Sequence, residues 1–148
     1  MEKSTMELEN ELTKAKNTQQ LKDFNKTNHH ELSPDPLKYL FATARAHGVE
    51  EHELSANSQI ERTYVAHILN GDRKLSREAC IALALSGKFT LDEANTLLKY
   101  AGHNQLYARD PRDGVLIFAF AKGLTVLDTN YELHELGLDI ILKQKNRR

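Results

Sequence analysis

The sequence predicts an all-α fold. Apolar residues recur at three- and four-residue spacing along most of the chain, the period of a helix face. Several of these stretches open on a capping signature, a Ser, Thr or Asn followed three residues later by an acid or amide. Glycine closes them: Gly48, Gly71, Gly87, Gly102, Gly123 and Gly137 fall where a periodic stretch stops, and only Gly114 lies inside one. Three prolines leave little material for a turn-dense β fold.

From the amino terminus, Ser4-x-x-Glu7 caps a helix carrying Leu8, Leu12 and Ala15, and Asn17-x-x-Gln20 caps a second with Leu21 and Phe24. Together they form a helical extension over residues 1–33. Ser33-Pro34-Asp35-Pro36 breaks the chain and starts the next helix, with Leu37, Leu40, Phe41 and Ala44 at helical spacing up to Gly48. Residues 49–75 then read as two short helices around a break near Ser58-Gln59. The first runs through Val49 and Leu54. The second, over residues 61–69, turns Val65, Ile68 and Leu69 to one face and Arg62, Thr63, Ala66 and His67 to the other. Ile60 and Val65 have the spacing of a hydrophobic staple, and Asn70-Gly71 ends the helix.

Ser76 caps a helix through Ile81 and Ala84 that ends near Gly87. Phe89, Thr90 and Glu93 supply staple, cap and capping acid for the next, which carries Leu97 and Leu98 to Gly102. Gly102 to Pro111 is a loop with Leu106-Tyr107 as expected anchors. Arg112 to Ala121 is apolar at its centre, the mark of a buried helix, and Thr125 to Leu136 forms the last one before Gly137. Beyond it, Leu138, Ile140, Ile141 and Leu142 make an apolar strip suited to closing a dimer.

The last third repeats the segment before it. A shift of 35 places superposes Arg77 on Arg112, Ala84 on Ala119, Thr90 on Thr125, Asn95 on Asn130, Leu98 on Leu133 and Gly102 on Gly137. Two readings fit: two helical hairpins built by the same capping rules, or a duplication whose halves bury their faces on each other. Either gives three parts: the extension over 1–33, a helical domain over 34–102, and a helical hairpin with a basic tail over 103–148.

With 148 residues, 40% of them apolar, the chain has enough material for a core without staples. The single Cys80 excludes an intramolecular disulfide and fits a reducing, cytoplasmic setting. No apolar run reaches the roughly 20 residues of a membrane span, and the first residues lack the pattern of a secretory signal. The formal charge is −1 and the pI about 6.7, far from a uniformly basic protein. Charge is local, however: Arg62, Arg73, Lys74 and Arg77 face Asp72 alone between residues 62 and 77, and Lys143, Lys145, Arg147 and Arg148 make the tail basic.

Leu54, Ile60, Tyr64-Val65, Ile68 and Asn70-Gly71-Asp72-Arg73, followed by Leu75-Ser76, resemble the helix-turn-helix of the phage-repressor-like family (XRE, or Cro-repressor type) of transcriptional regulators from Gram-positive bacteria. The resemblance continues through Leu106-Tyr107-x-Arg109-Asp110-x-Arg112-Asp113, Gly123-Leu124-Thr125-Val126 and Tyr131-Glu132-Leu133. It implies a five-helix repressor-like domain flanked by the two helical additions. It also implies a cytoplasmic, sequence-specific regulator of double-stranded DNA, a repressor acting as a homodimer. Helix 61–69 then enters the major groove, which admits an α-helix. On that alignment Arg62, Thr63 and His67 face base edges with Tyr64 beside them, while Asn70, Arg73 and Lys74 lie at the phosphates.

Gln59 stands where glycine is common in such turns, Glu61 replaces a small cap, and Glu50-Glu51 put acid where the motif nears the DNA backbone. These departures point to a second reading, in which the motif is a scaffold and the protein an adaptor or antagonist that binds another protein. Catalysis finds no support in the residues. Cys80 sits on the core side of its helix beside Ile81, and no helix-spaced histidine pair with a nearby carboxylate marks a metal site, since His29 and His30 are adjacent and point apart. No glycine-rich phosphate loop occurs. Asp110, Arg112 and Asp113 read as capping and pairing residues at a helix start. The expectation is no enzyme, no metal and no cofactor.

Overall fold

The computed structural model describes residues 3–28, 35–58, 67–68 and 74–142. Among them all regular structure is helical, and no strand occurs. The helices are α1 (Thr5–Lys14), α2 (Thr18–Thr27), α3 (Pro36–Ala46), α4 (Glu51–Asn57), α5 (Arg77–Ser86), α6 (Leu91–Tyr100), α7 (Pro111–Lys122) and α8 (Val126–Glu135). They fall into two compact units, Met1–Pro34 and Asp35–Arg148.

In the first unit Ser4 accepts from the Glu7 amide at 3.1 Å and Asn17 from that of Gln20 at 2.9 Å, so both helices start on the residues that cap them in sequence. Among its described residues Phe24 is buried. Asn28 locks the hairpin, donating to Glu11 Oε2 at 3.1 Å and accepting from Lys3 Nζ at 2.6 Å.

In the second unit α5 is the central element, buried continuously from Ala79 to Ser86. Its composition explains this, because ACIALAL offers no polar face and must be covered all round. One side meets α3 and α4, and the rest meets α6 and α8. Leu37, Leu40 and Phe41 of α3, Leu54 of α4, Ile68 and Leu83 of α5 line one small gap there.

The 35-residue repeat is also a structural one. The α5–α6 hairpin reverses through Phe89 N to Ala84 O at 3.0 Å, and α7–α8 through Leu124 N to Ala119 O, also at 3.0 Å. Thr90 caps with the Glu93 amide at 3.2 Å and Thr125 with the Asp128 amide at 3.0 Å. Asn95 accepts from the Leu106 amide at 2.9 Å, and Asn130 from that of Ile141 at 2.6 Å.

The hairpins also exchange contacts with each other. Arg77 donates to both carboxylate oxygens of Asp113, at 3.2 and 2.9 Å, and Arg112 to both of Glu78, at 3.0 and 2.6 Å. Each acid takes one further amide from the segment that ends the other hairpin: Tyr107 N at 3.0 Å for Asp113, Leu142 N at 3.2 Å for Glu78. Helix contacts follow the same exchange, α5 on α8 and α6 on α7. Such reciprocity is the pattern of an isologous interface, here closed within one chain.

Two expectations need correction. Tyr107 is not an anchor: its ring is exposed and its backbone amide holds the loop instead. The strip after Gly137 does not lie open, because Ile141 is buried and Leu138 and Leu142 pack against the core. Gly87 ends α5 as its sequence position implies, and the left-handed residue after it is Lys88, at φ 60°. A Cβ at Gly87 would stand 2.8 Å from the Phe89 ring, so the glycine makes room for that ring. At the equivalent of Lys88 in the second hairpin, the left-handed residue is Gly123, at φ 67°.

Candidate nucleic-acid interface

Of the seven residues assigned to DNA, Arg62, Thr63, Tyr64, Asn70 and Arg73 lie outside the described residues, as do the staple Ile60–Val65, the Asn70-Gly71 closure and the basic tail from Lys143. His67 and Lys74 are described, and both are exposed.

The frame around them is built from local signals. α3 starts at Asp35, whose carboxylate accepts from the Leu37 amide at 2.9 Å with Pro36 in the first turn. Gly48, at φ 80°, reverses the chain, and Val49 is buried as it leaves. At the start of α4, Glu53 reaches back to the Glu50 amide at 3.1 Å. Acid in this first turn favours the helix dipole, which accounts for Glu50, Glu51 and Glu53 without reference to DNA. Leu54 is buried, and Ser58, also buried, ends the helix with its hydroxyl donating to Ser55 O at 3.3 Å.

His67 and Ile68 lie in a helical turn. Ile68 is buried in the gap shared with α3, α4 and α5, while its neighbour His67 faces out. After them Lys74 is exposed, Leu75 is buried, and Ser76 caps α5 by accepting from the Ala79 amide at 3.1 Å.

Arg77 does not join a phosphate-facing cluster. Besides Asp113, its guanidinium donates to the carbonyls of Asn104, at 3.1 Å, and Gln105, at 3.4 Å. Arg112 is committed in the same way, to Glu78 and to the carbonyls of Asp139 and Ile140. Burial opposes the charge of Arg112, but the Glu78, Asp113 and Asp139 carboxylates outweigh it and raise its pKa. The signal for these pairs was present in the chain: Arg77-Glu78 and Arg112-Asp113 are the same Arg-acid dipeptide 35 residues apart.

Burial pushes the Cys80 thiol up to about 12, Arg77 offsetting only part of this, so at neutral pH it is a protonated core residue. Among the described residues no group of three or more His, Cys, Asp or Glu is placed to hold a metal ion. No described helix is long and apolar enough to cross a membrane.

No family model matches the chain, and no curated protein or solved structure matches it.

Proposed function

We propose that the protein is a sequence-specific regulator of double-stranded DNA, a repressor that reads the major groove with the helix over residues 61–69. The observation that carries this reading is the division at His67 and Ile68. One residue is exposed and the next is buried against α3, α4 and α5, in a short helical turn that follows a buried Leu54 and Ser58. A helix seated by one face and open on the other is what groove entry needs. Lys74, exposed at its exit, is a cation suited to a phosphate.

In this reading Arg62 and Thr63 meet base edges with His67 on the same face and Tyr64 beside them, and Asn70, Arg73 and Lys74 set register on the backbone. A bidentate Arg62–guanine contact supplies about 1–3 kcal/mol of discrimination. Arg77 is removed from the set by its pairing with Asp113. The protein acts as a twofold dimer whose reading helices are about 34 Å apart, and it sits in the cytoplasm with the DNA.

A second reading is favoured by charge. Net charge is −1 and Glu50 and Glu51 are exposed at the start of α4, an arrangement that repels phosphate and suits a protein partner. Selection from a pool of random duplexes separates the two readings. Enrichment of a twofold-symmetric motif supports the DNA regulator, and retention of no sequence above background supports the adaptor.

A further inference from the structure

We infer that the open groove of the α7–α8 hairpin is a homodimer surface, in which each copy seats its α8 ridge in the groove of the other. The inference deepens the proposed function, whose twofold dimer it locates, and it is tested without DNA.

The repeat supplies the first observation. In the first hairpin the groove between α5 and α6 is filled by α3. Leu83 borders the same gap as Leu40 and Phe41 and is 3% exposed. Tyr39 packs edge-on against Phe89 and Tyr100, with ring centroids 6.2 and 5.2 Å apart, and His47 bonds Glu93 at 2.7 Å. A shift of 35 carries these groove residues onto Phe118, Leu124, Glu135 and Asp128. In the second unit no described helix takes the place of α3 there, and Phe118 is 48% exposed.

The second observation is what flanks the groove. Leu127 and Tyr131, one helical turn apart on α8, are 66% and 63% exposed. Their counterparts in the covered hairpin are Asp92 and Thr96, which are polar. At these two positions the uncovered hairpin carries apolar side chains where the covered one carries polar ones, and with Phe118 they make a face of a kind found at interface cores.

Charge selects the occupant. Lys122 stands at one end of the face, its Nζ 5.9 Å from the centre of the Phe118 ring, and Asp128 and Glu135 flank Tyr131 on α8. A patch bearing one sign would call for a partner of the other; this one carries both at its rim and complements itself. Under a twofold axis Lys122 of one copy meets the acidic rim of the other, while the Leu127–Tyr131 ridge fills the place that Tyr39 and Phe41 fill in the first hairpin.

The test is sedimentation equilibrium on the full chain, wild type against Phe118→Lys and Tyr131→Lys, with helix content and Tm measured on each. The wild type is expected to be a dimer at roughly 100 μM, and each substitution to raise the dissociation constant at least about thirtyfold at unchanged helix content. Because both side chains are exposed, the variants should fold as the wild type does. A wild-type monomer at that concentration, or folded variants that dimerise as tightly as the wild type, overturns the inference. A dimer lost in the variants, from a wild type that selects no DNA sequence, upholds this surface and overturns the DNA reading alone.

Discussion

Arg112 grips Glu78 through two guanidinium nitrogens, at 3.0 and 2.6 Å, across the contact between the two helical hairpins. Its counterpart Arg77 grips Asp113, so the hairpins are cross-linked twice by the same device. Both pairs are only partly exposed and both arginines also satisfy loop carbonyls, so removing one leaves a carboxylate and two carbonyls short of donors. Arg112→Ala and Arg77→Ala should each destabilise the protein by about 1–3 kcal/mol in urea unfolding. A loss under about 0.5 kcal/mol, the scale of a surface ion pair, would contradict this.

Lys88 and Gly123 hold the same left-handed position in the two hairpins. A side chain there carries a steric cost of about 1–2 kcal/mol, set against the greater unfolded-state freedom of glycine. Lys88→Gly should therefore raise stability by about 0.5–1 kcal/mol, and Gly123→Ala should lower it by about 1 kcal/mol. Calorimetry on both variants checks the opposite signs; shifts of the same sign would refute the equivalence.

Glu93 joins α6 to the end of α3. Burial raises its carboxyl pKa, but the Thr90 amide at 2.9 Å and His47 at 2.7 Å outweigh this and hold it below the ordinary 4.5. A carboxyl with a folded pKa below its unfolded one contributes stability that is present above 4.5 and lost as pH falls through the folded value. The stability gap between wild type and Glu93→Gln should therefore close as pH falls from neutral through the folded value below 4.5. An unchanged gap at the acid end would show that the carboxylate charge contributes nothing.

Cys80 should resist alkylation by iodoacetamide at about pH 8 in the native protein and react at once in denaturant, since the thiolate is the nucleophile. The thiol is pushed up to about 12 and is buried, so fast native labelling would show that the α5 core opens.

Local rules made most of the fold readable. Ser4, Asn17, Thr90 and Thr125 cap as their sequence neighbours imply, because a cap bond spans three residues and needs no knowledge of tertiary structure. The repeat was readable for the same reason. Its consequence was not, since Arg77 looks like part of a basic cluster until the chain brings Asp113 to it from 36 residues away. Leu138 to Leu142 looked like a free apolar strip for a similar cause: Asn130 draws the Ile141 amide in at 2.6 Å and the core takes the side chain. Periodicity states which face of a helix is apolar and not what covers it, so Leu83 and Phe118 read alike in sequence and differ in burial. Of the candidate site, His67 and Lys74 are exposed.

Fluorescence anisotropy tests whether this protein reads duplex DNA. The full chain and its Arg62→Ala variant are titrated into the promoter region of its own gene and into unrelated duplex, at several salt concentrations. Preference for the promoter, affinity that falls steeply with salt, and a loss of about 1–3 kcal/mol of that preference in Arg62→Ala are expected. Absence of binding to either duplex at low salt would contradict the DNA reading.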